Sequence, residues 1–216
     1  MNDCIRPDRR HLVAAIALLP VAAYAQGKGG APVETRDFRP VSPPQPTEGK
    51  RIEVLEFFQY TCPHCFRFNT VLERWKKTLP ADVEFRRVSI NWDGSTLNHT
   101  RIYYALEQLQ RLDVHEKVFA AIHNARRRML DPAEIAELMA NNGIERARWN
   151  EAFNSFTVNA RVNRAGQIWR AYRIDSTPAM AVAGRWVTAP AMVGSLEATP
   201  PVLDFLIARA RAEIRR

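Results

Sequence analysis

Two hydrophobic periods alternate along this chain. Ile52–Phe58 (IEVLEFF) is almost continuously apolar and predicts a strand buried on both faces. Beyond Gln59-Tyr60-Thr61, the positions Phe66, Val71, Leu72 and Trp75 fall on one face of a helix. Pro63 stands in the first turn of that helix, where a missing N–H leaves no hydrogen bond unmade. Pro80 ends the helix, and Val83–Ile90 (VEFRRVSI) predicts a second strand. The result is a βαβ unit, and a right-handed crossover makes its two strands parallel.

From about Asn98 to Arg164 the period is helical. Ile102, Leu106, Leu109 and Leu112 make one stripe, and Trp149, Phe153 and Phe156 another. Asp113-x-x-Glu116 and Asp131-Pro132-Ala133-Glu134 have the form of capping boxes that open new helices, and Asn142-Gly143 suits a helix stop. Strand character returns at Ala179–Ala183, turns at Gly184 and resumes at Arg185–Thr188, which predicts a hairpin. Thr199-Pro200 opens a last helix that turns Val202, Leu203, Leu206, Ile207 and Ala210 inward. Upstream, Gln26–Lys50 is rich in proline and glycine and reads as extended chain with a short edge strand near Asp37–Val41.

Composition narrows the class. Of the 216 residues 46% are hydrophobic, and 10 Phe, 5 Trp and 5 Tyr suffice to fill a core, which excludes a disordered chain. The net charge of +8 permits an acidic partner without requiring one. No apolar run reaches the roughly 18–20 residues that span a bilayer. Residues 1–25 read as a secretory signal: Arg6, Arg9 and Arg10, then the apolar run Leu12–Ala23, then Ala23-Tyr24-Ala25. Arg9-Arg10 also admits the twin-arginine route. Cleavage after Ala25 removes Cys4 and leaves Cys62 and Cys65. Outside the cytoplasm such a pair is a structural disulfide or a redox couple.

Cys62-Pro63-His64-Cys65 carries the chemistry. A helix start offers unpaired N–H groups and the positive end of the helix dipole, so a thiolate at Cys62 is favoured there. Cys65, one turn further in, is expected to be shielded. Cys62 is then the sulfur that exchanges and Cys65 the one that resolves the mixed disulfide, with His64 adding positive or hydrogen-bonding character. A disulfide carries no charge and a thiolate does, so whatever stabilises the thiolate makes the disulfide the stronger oxidant. Each pKa unit below ambient pH adds about 1.4 kcal/mol, or roughly 30 mV for two electrons. A purely structural bridge is disfavoured because a four-residue loop removes little chain entropy. A zinc site lacks a fourth ligand. Haem attachment requires CxxCH, and Phe66 follows Cys65.

Thr177-Pro178 stands just before the third strand. It reads either as punctuation at a strand start or as a cis peptide facing the CxxC, and sequence does not choose between them. Arg126-Arg127-Arg128 reads as a solvated helix face. His99, His115 and His123 have no metal-ligand spacing and read as helix-surface residues. Export and the lack of a module motif disfavour nucleic-acid binding.

Leu55-Glu56-Phe57-Phe58 followed by Cys62-Pro63-His64-Cys65 resembles the DsbA family of bacterial periplasmic thiol–disulfide oxidoreductases. Val88-Ser-Ile-Asn91-Trp92, Asn142-Gly143-Ile144, Phe153-Asn-Ser-Phe156 and Thr177-Pro178-Ala179 support the resemblance from about Arg51 to the C-terminus. It implies an α/β, thioredoxin-like fold with an inserted all-helical domain. The thioredoxin-like part takes 51–97 and 165–216, and the helical part 98–164, after a signal peptide (1–25) and a Pro/Gly-rich segment (26–50). It makes Cys62 the nucleophile, Cys65 the resolving cysteine, and Pro178 a cis-proline that with Thr177 meets the substrate. It sets Glu56 beneath the site, while Pro63 and His64, in the turn between the two sulfurs, are expected to tune it. Arg87 stands where the family usually has a lysine. An arginine does not give up its proton, so a fixed ion pair is expected in place of a proton relay. The implied activity is a monomeric periplasmic oxidase that passes the Cys62–Cys65 disulfide to reduced exported proteins. It needs no metal or organic cofactor and is reoxidised by a membrane partner of the DsbB type. The rival readings are an isomerase or reductase on the same fold, and a peptide-binding chaperone whose CxxC is structural.

Overall fold

The computed structural model describes residues 30–214; the expected signal peptide and Cys4 lie outside the described residues. The short strand β1 (Arg39–Pro40) is followed by β2 (Ile52–Phe58), α1 (Pro63–Lys76) and β3 (Val83–Ser89). Then come α2 (Leu97–Gln108), a 3-10 turn at Leu112–Val114, α3 (His115–His123), α4 (Pro132–Asn141), α5 (Arg146–Phe153) and α6 (Phe156–Ala171). The chain returns through β4 (Ala179–Val182), β5 (Trp186–Thr188), α7 (Pro190–Val193) and α8 (Thr199–Ile214).

The sheet order is β1-β5-β4-β2-β3. β2 runs parallel to β3, as the crossover predicts, and antiparallel to β4. All seven residues of β2 are buried, because helices cover both faces of this interior strand. On one face Ile52 and Val54 pack with Phe68 and Leu72 of α1 and with Leu203 and Leu206 of α8. On the other, Leu55 and Phe57 join a core that runs into the helical part through Ile102, Leu106, Phe119 and Trp149. The β4–β5 hairpin turns on Ala183 (φ +53°) and Gly184 (φ +68°), two left-handed residues that match the twist of the strands they join. Gly184 also lies against the backbone of Gln45, so a side chain there would strike the lead-in segment.

Several expectations are corrected. The edge strand is only Arg39–Pro40. Asp113 caps nothing: α3 continues from the 3-10 turn with Val114 at its N-cap, and Asp113 pairs with Arg111 at 2.9 Å. Asp131 does cap α4, accepting from Ala133 N–H, but Glu134 reaches back to Met129 N–H and Arg127. Phe156 is 87% exposed, because the chain breaks at Asn154 and restarts α6 with Ser155 as N-cap, off the face of Trp149 and Phe153. Leu112 is exposed as well. Arg126-Arg127-Arg128 lies in the loop between α3 and α4, outside any helix. His99 and His115 are buried, and His123 is partly buried. Helix α6 runs unbroken through position 164 and packs on both α2 and β3. One rigid element thus carries the chain from the helical part to the edge of the sheet.

Candidate active site

β2 delivers Cys62 to the end of the sheet, and α1 begins there. Cys62 is the N-cap of α1, with extended backbone (φ −79°, ψ 115°), and Pro63 fills the first helical turn. The Cys62 Sγ accepts from the Cys65 N–H at 3.3 Å, so the sulfur does the work of a capping side chain. The two thiols are free, Cys62 partly exposed and Cys65 buried. Cys62 is lowered from 9.0 to about 5, first because the Cys65 thiol donates to its thiolate. Partial burial opposes this, while the Thr177 side chain and the N–H groups of Cys65 and His64 reinforce it. Cys65 moves the other way: burial raises it well above the ordinary thiol range, and the neighbouring Cys62 adds to the rise.

Thr177 faces this pair, with its carbonyl oxygen 3.4 Å from the Cys62 Sγ. The Thr177–Pro178 bond is cis, the sharper of the two expectations. Thr177 and Pro178 join His64, Pro190, Ala191 and Leu196 in lining a cavity of about 310 Å³. The ring of His64 turns to Arg67, which donates to Nδ1 at 3.0 Å.

Beneath the cysteines, Glu56 and Arg87 sit opposite each other in the β2–β3 register. Arg87 Nε donates to Glu56 Oε2 at 2.6 Å, and its Nη2 reaches Asn69 Oδ1 at 3.0 Å and Glu73 Oε1 at 2.8 Å. Both members of the pair are almost wholly buried. Burial lifts the Glu56 carboxyl above the ordinary range against the pull of Arg87. Arg87 is itself raised, since its two carboxylate neighbours outweigh its own desolvation.

A further layer escaped the sequence reading. Tyr60 is buried two residues before Cys62, and its hydroxyl lies 2.7 Å from His115 Nδ1. Its carbonyl is held by His123 Nε2 at 2.8 Å, and the His123 ring stacks on Phe66 at 4.8 Å. The signal was available: His115 shares a helix face with Val118 and Phe119, and His99 with Ile102, all of which are buried.

A family model for the DSBA-like thioredoxin domain matches residues 72–198. The thiol:disulfide interchange protein DsbA of Bordetella parapertussis is 41% identical over 202 residues, 92% of this chain and 93% of that protein. Its counterpart in Burkholderia cepacia is 35% identical over 86% of this chain and 89% of that one. The chain belongs to the DSBA-like thioredoxin family of protein disulfide oxidoreductases. The crystal structure of Pseudomonas aeruginosa DsbA superposes with a TM-score of 0.82 at 31% identity, covering 85% of this chain and 97% of that one. The family's fold, thioredoxin-like with a helical insertion, is therefore the fold of this chain. The family model takes in the insertion and Thr177-Pro178, and the longer Bordetella match spans the CxxC as well.

Proposed function

We propose that the protein is a periplasmic dithiol oxidase that passes the Cys62–Cys65 disulfide to reduced, exported polypeptides. The observation that carries this reading is the placement of the two thiols: Cys62 Sγ caps α1, accepting the Cys65 N–H at 3.3 Å, and is partly exposed, while Cys65 is buried behind it, an arrangement that lowers Cys62 to about 5 and raises Cys65. A substrate thiolate attacks Cys62 Sγ of the disulfide, the S–S bond breaks, and Cys65 leaves and takes up a proton. A second substrate thiolate then attacks the substrate sulfur of the mixed disulfide, and Cys62 departs as a thiolate. A leaving thiol of low pKa leaves fast, so this last step runs toward the oxidised substrate. Two electrons pass to the enzyme, and a membrane reoxidant of the DsbB type accepts them to restore the disulfide. In that return step the Cys62 thiolate is the nucleophile that attacks the reoxidant's disulfide, and Cys65 is the resolving thiol that displaces the reoxidant's sulfur from Cys62. Thr177 and Pro178 border the substrate, Pro63 and His64 shape the turn, and Glu56 with Arg87 is a fixed ion pair beneath it. The protein acts as a monomer, with 51–97 and 165–216 as the thioredoxin-like part and 98–164 as the helical part.

The test is stoichiometric oxidation of a reduced two-cysteine peptide by the disulfide form. Wild type should convert one peptide per enzyme and Cys62→Ser none. Oxidation by Cys62→Ser at the wild-type rate would sink the assignment. A wild type that only rearranges or reduces preformed disulfides would favour the isomerase or reductase.

A further inference from the structure

Three residues beyond the end of β3, at the same end of the sheet as the CxxC, Trp92 stands 37% exposed. One exposed aromatic side chain needs no explanation, but Trp92 is paired with a second, partly exposed tryptophan, and together they make an aromatic surface. Its indole N–H donates to Gln59 Oε1 at 2.8 Å, which fixes the ring. The Gln59 carbonyl accepts the Cys62 N–H at 3.2 Å, so a single residue joins this ring to the redox turn. Trp169, near the end of α6, meets Trp92 edge to face at 4.9 Å and 74°. Arg170 lays its guanidinium 4.6 Å from the centre of the Trp169 ring. That guanidinium donates to the Gly166 carbonyl at 2.8 Å and, among the described residues, pairs with no carboxylate. Six residues after Arg170 the same chain enters Ser176, Thr177 and Pro178 beside Cys62.

We infer that Trp92, Trp169 and Arg170 form a client-binding shelf, tied to the redox turn through Gln59, which holds a large apolar side chain and a neighbouring carboxylate of the polypeptide being oxidised. This rests on the oxidase reading and adds a selectivity to it. An indole face offers contact area to Leu, Phe or Tyr with little ordering cost, because the Gln59 bond and the edge-to-face contact already fix both rings. Arg170 supplies the complementary charge, already held in place by Trp169 and Gly166. Clients whose cysteine lies near an apolar–acidic pair are therefore oxidised faster than clients that lack it, without any change at the sulfur.

The test compares three reductants of the disulfide form: dithiothreitol, a two-cysteine peptide with Leu-Asp beside one cysteine, and the same peptide with Ser-Asn there. A lost aromatic contact is worth about 0.5–1.5 kcal/mol, roughly two- to tenfold in rate. Trp169→Leu should lower the ratio of the Leu-Asp rate to the dithiothreitol rate about fivefold, and leave the Ser-Asn ratio within twofold. Arg170→Ala alters an exposed side chain, so it reports even if the tryptophan variant folds poorly. It should lower the Leu-Asp ratio two- to threefold, with the loss diminishing in high salt. Ratios unmoved in both variants, or equal losses for both peptides, would overturn the shelf. A wild type that oxidises neither peptide would instead overturn the oxidase reading.

Discussion

At Cys62 the charge is held by four donors that all come from the start of α1 or from the facing Thr177. Alkylation by iodoacetamide should therefore follow a thiolate that appears with a midpoint near about 5, while Cys65 stays unlabelled in the folded protein. Thr177→Val removes one donor without removing bulk, so the thiolate absorbance at 240 nm should appear at a higher pH. An unmoved midpoint would show that Thr177 contributes nothing to the charge. The Glu56–Arg87 pair is a different kind of dependence. Both side chains are within a few per cent of complete burial, so Arg87→Met strands a carboxylate that, among the described residues, has no other cation within hydrogen-bond reach. Breaking a buried pair on one side costs about 3–5 kcal/mol. Urea unfolding of Arg87→Met should show that loss, and a change below about 1 kcal/mol would mean that Glu56 is already protonated in the native state.

Among the elements, those set by apolar period alone were legible: β2, with every residue buried, and α8, with all five predicted inward residues buried. α1 was legible from Pro63 and the CxxC. What stayed hidden depended on partners distant in sequence. His115 is a polar letter on an apolar face, and only the fold brings Tyr60 to its Nδ1. Arg87 and Glu56 are one register step across β2 and β3, but Asn69 and Glu73 reach Arg87 from α1. Phe156 looked like the continuation of Trp149 and Phe153 because a period does not reveal where a helix breaks. Ser155 marks the break, its hydroxyl accepting from Val158 N–H at 3.1 Å. Ser155→Ala should then cost about 1 kcal/mol as a lost cap. Phe156→Ser should stay within about 0.5 kcal/mol of wild type, while Phe153→Ala loses about 3–5 kcal/mol. Thermal or urea midpoints of the three variants check this, and a large loss at Phe156 would return it to the core.

For the whole molecule, protons link the redox state to stability. His99 and His115 are lowered from 6.5 chiefly by burial, so the unfolded chain takes up protons that the folded one refuses. Their contribution is present above about 6.5 and is lost as pH falls toward their folded values, in the oxidised and the reduced protein alike. Cys62 titrates only in the reduced protein. Its folded pKa, about 5, lies below the 9.0 of an ordinary thiol, so thiolate stabilisation is complete above 9.0 and fades as pH falls through about 5. Cys65 is raised above 9.0 and stays neutral throughout that window, so it does not disturb the comparison. Against this stands the disulfide, whose four-residue loop gives the oxidised form only a small entropic advantage. The reduced protein should thus be the more stable at pH 7, which reverses the usual effect of a disulfide. The histidine contribution cancels when the two forms are compared at one pH, so the remaining difference tracks Cys62 alone. Urea midpoints of both forms at pH 8, 7, 6 and 4.5 should show the excess of the reduced protein shrinking steadily and levelling off below about 5. A difference that does not vary with pH would mean that Cys62 carries no stabilised charge. An oxidised form that is the more stable at pH 7 would mean that the couple reduces its partners, and the direction of electron flow proposed for this site would be the wrong one.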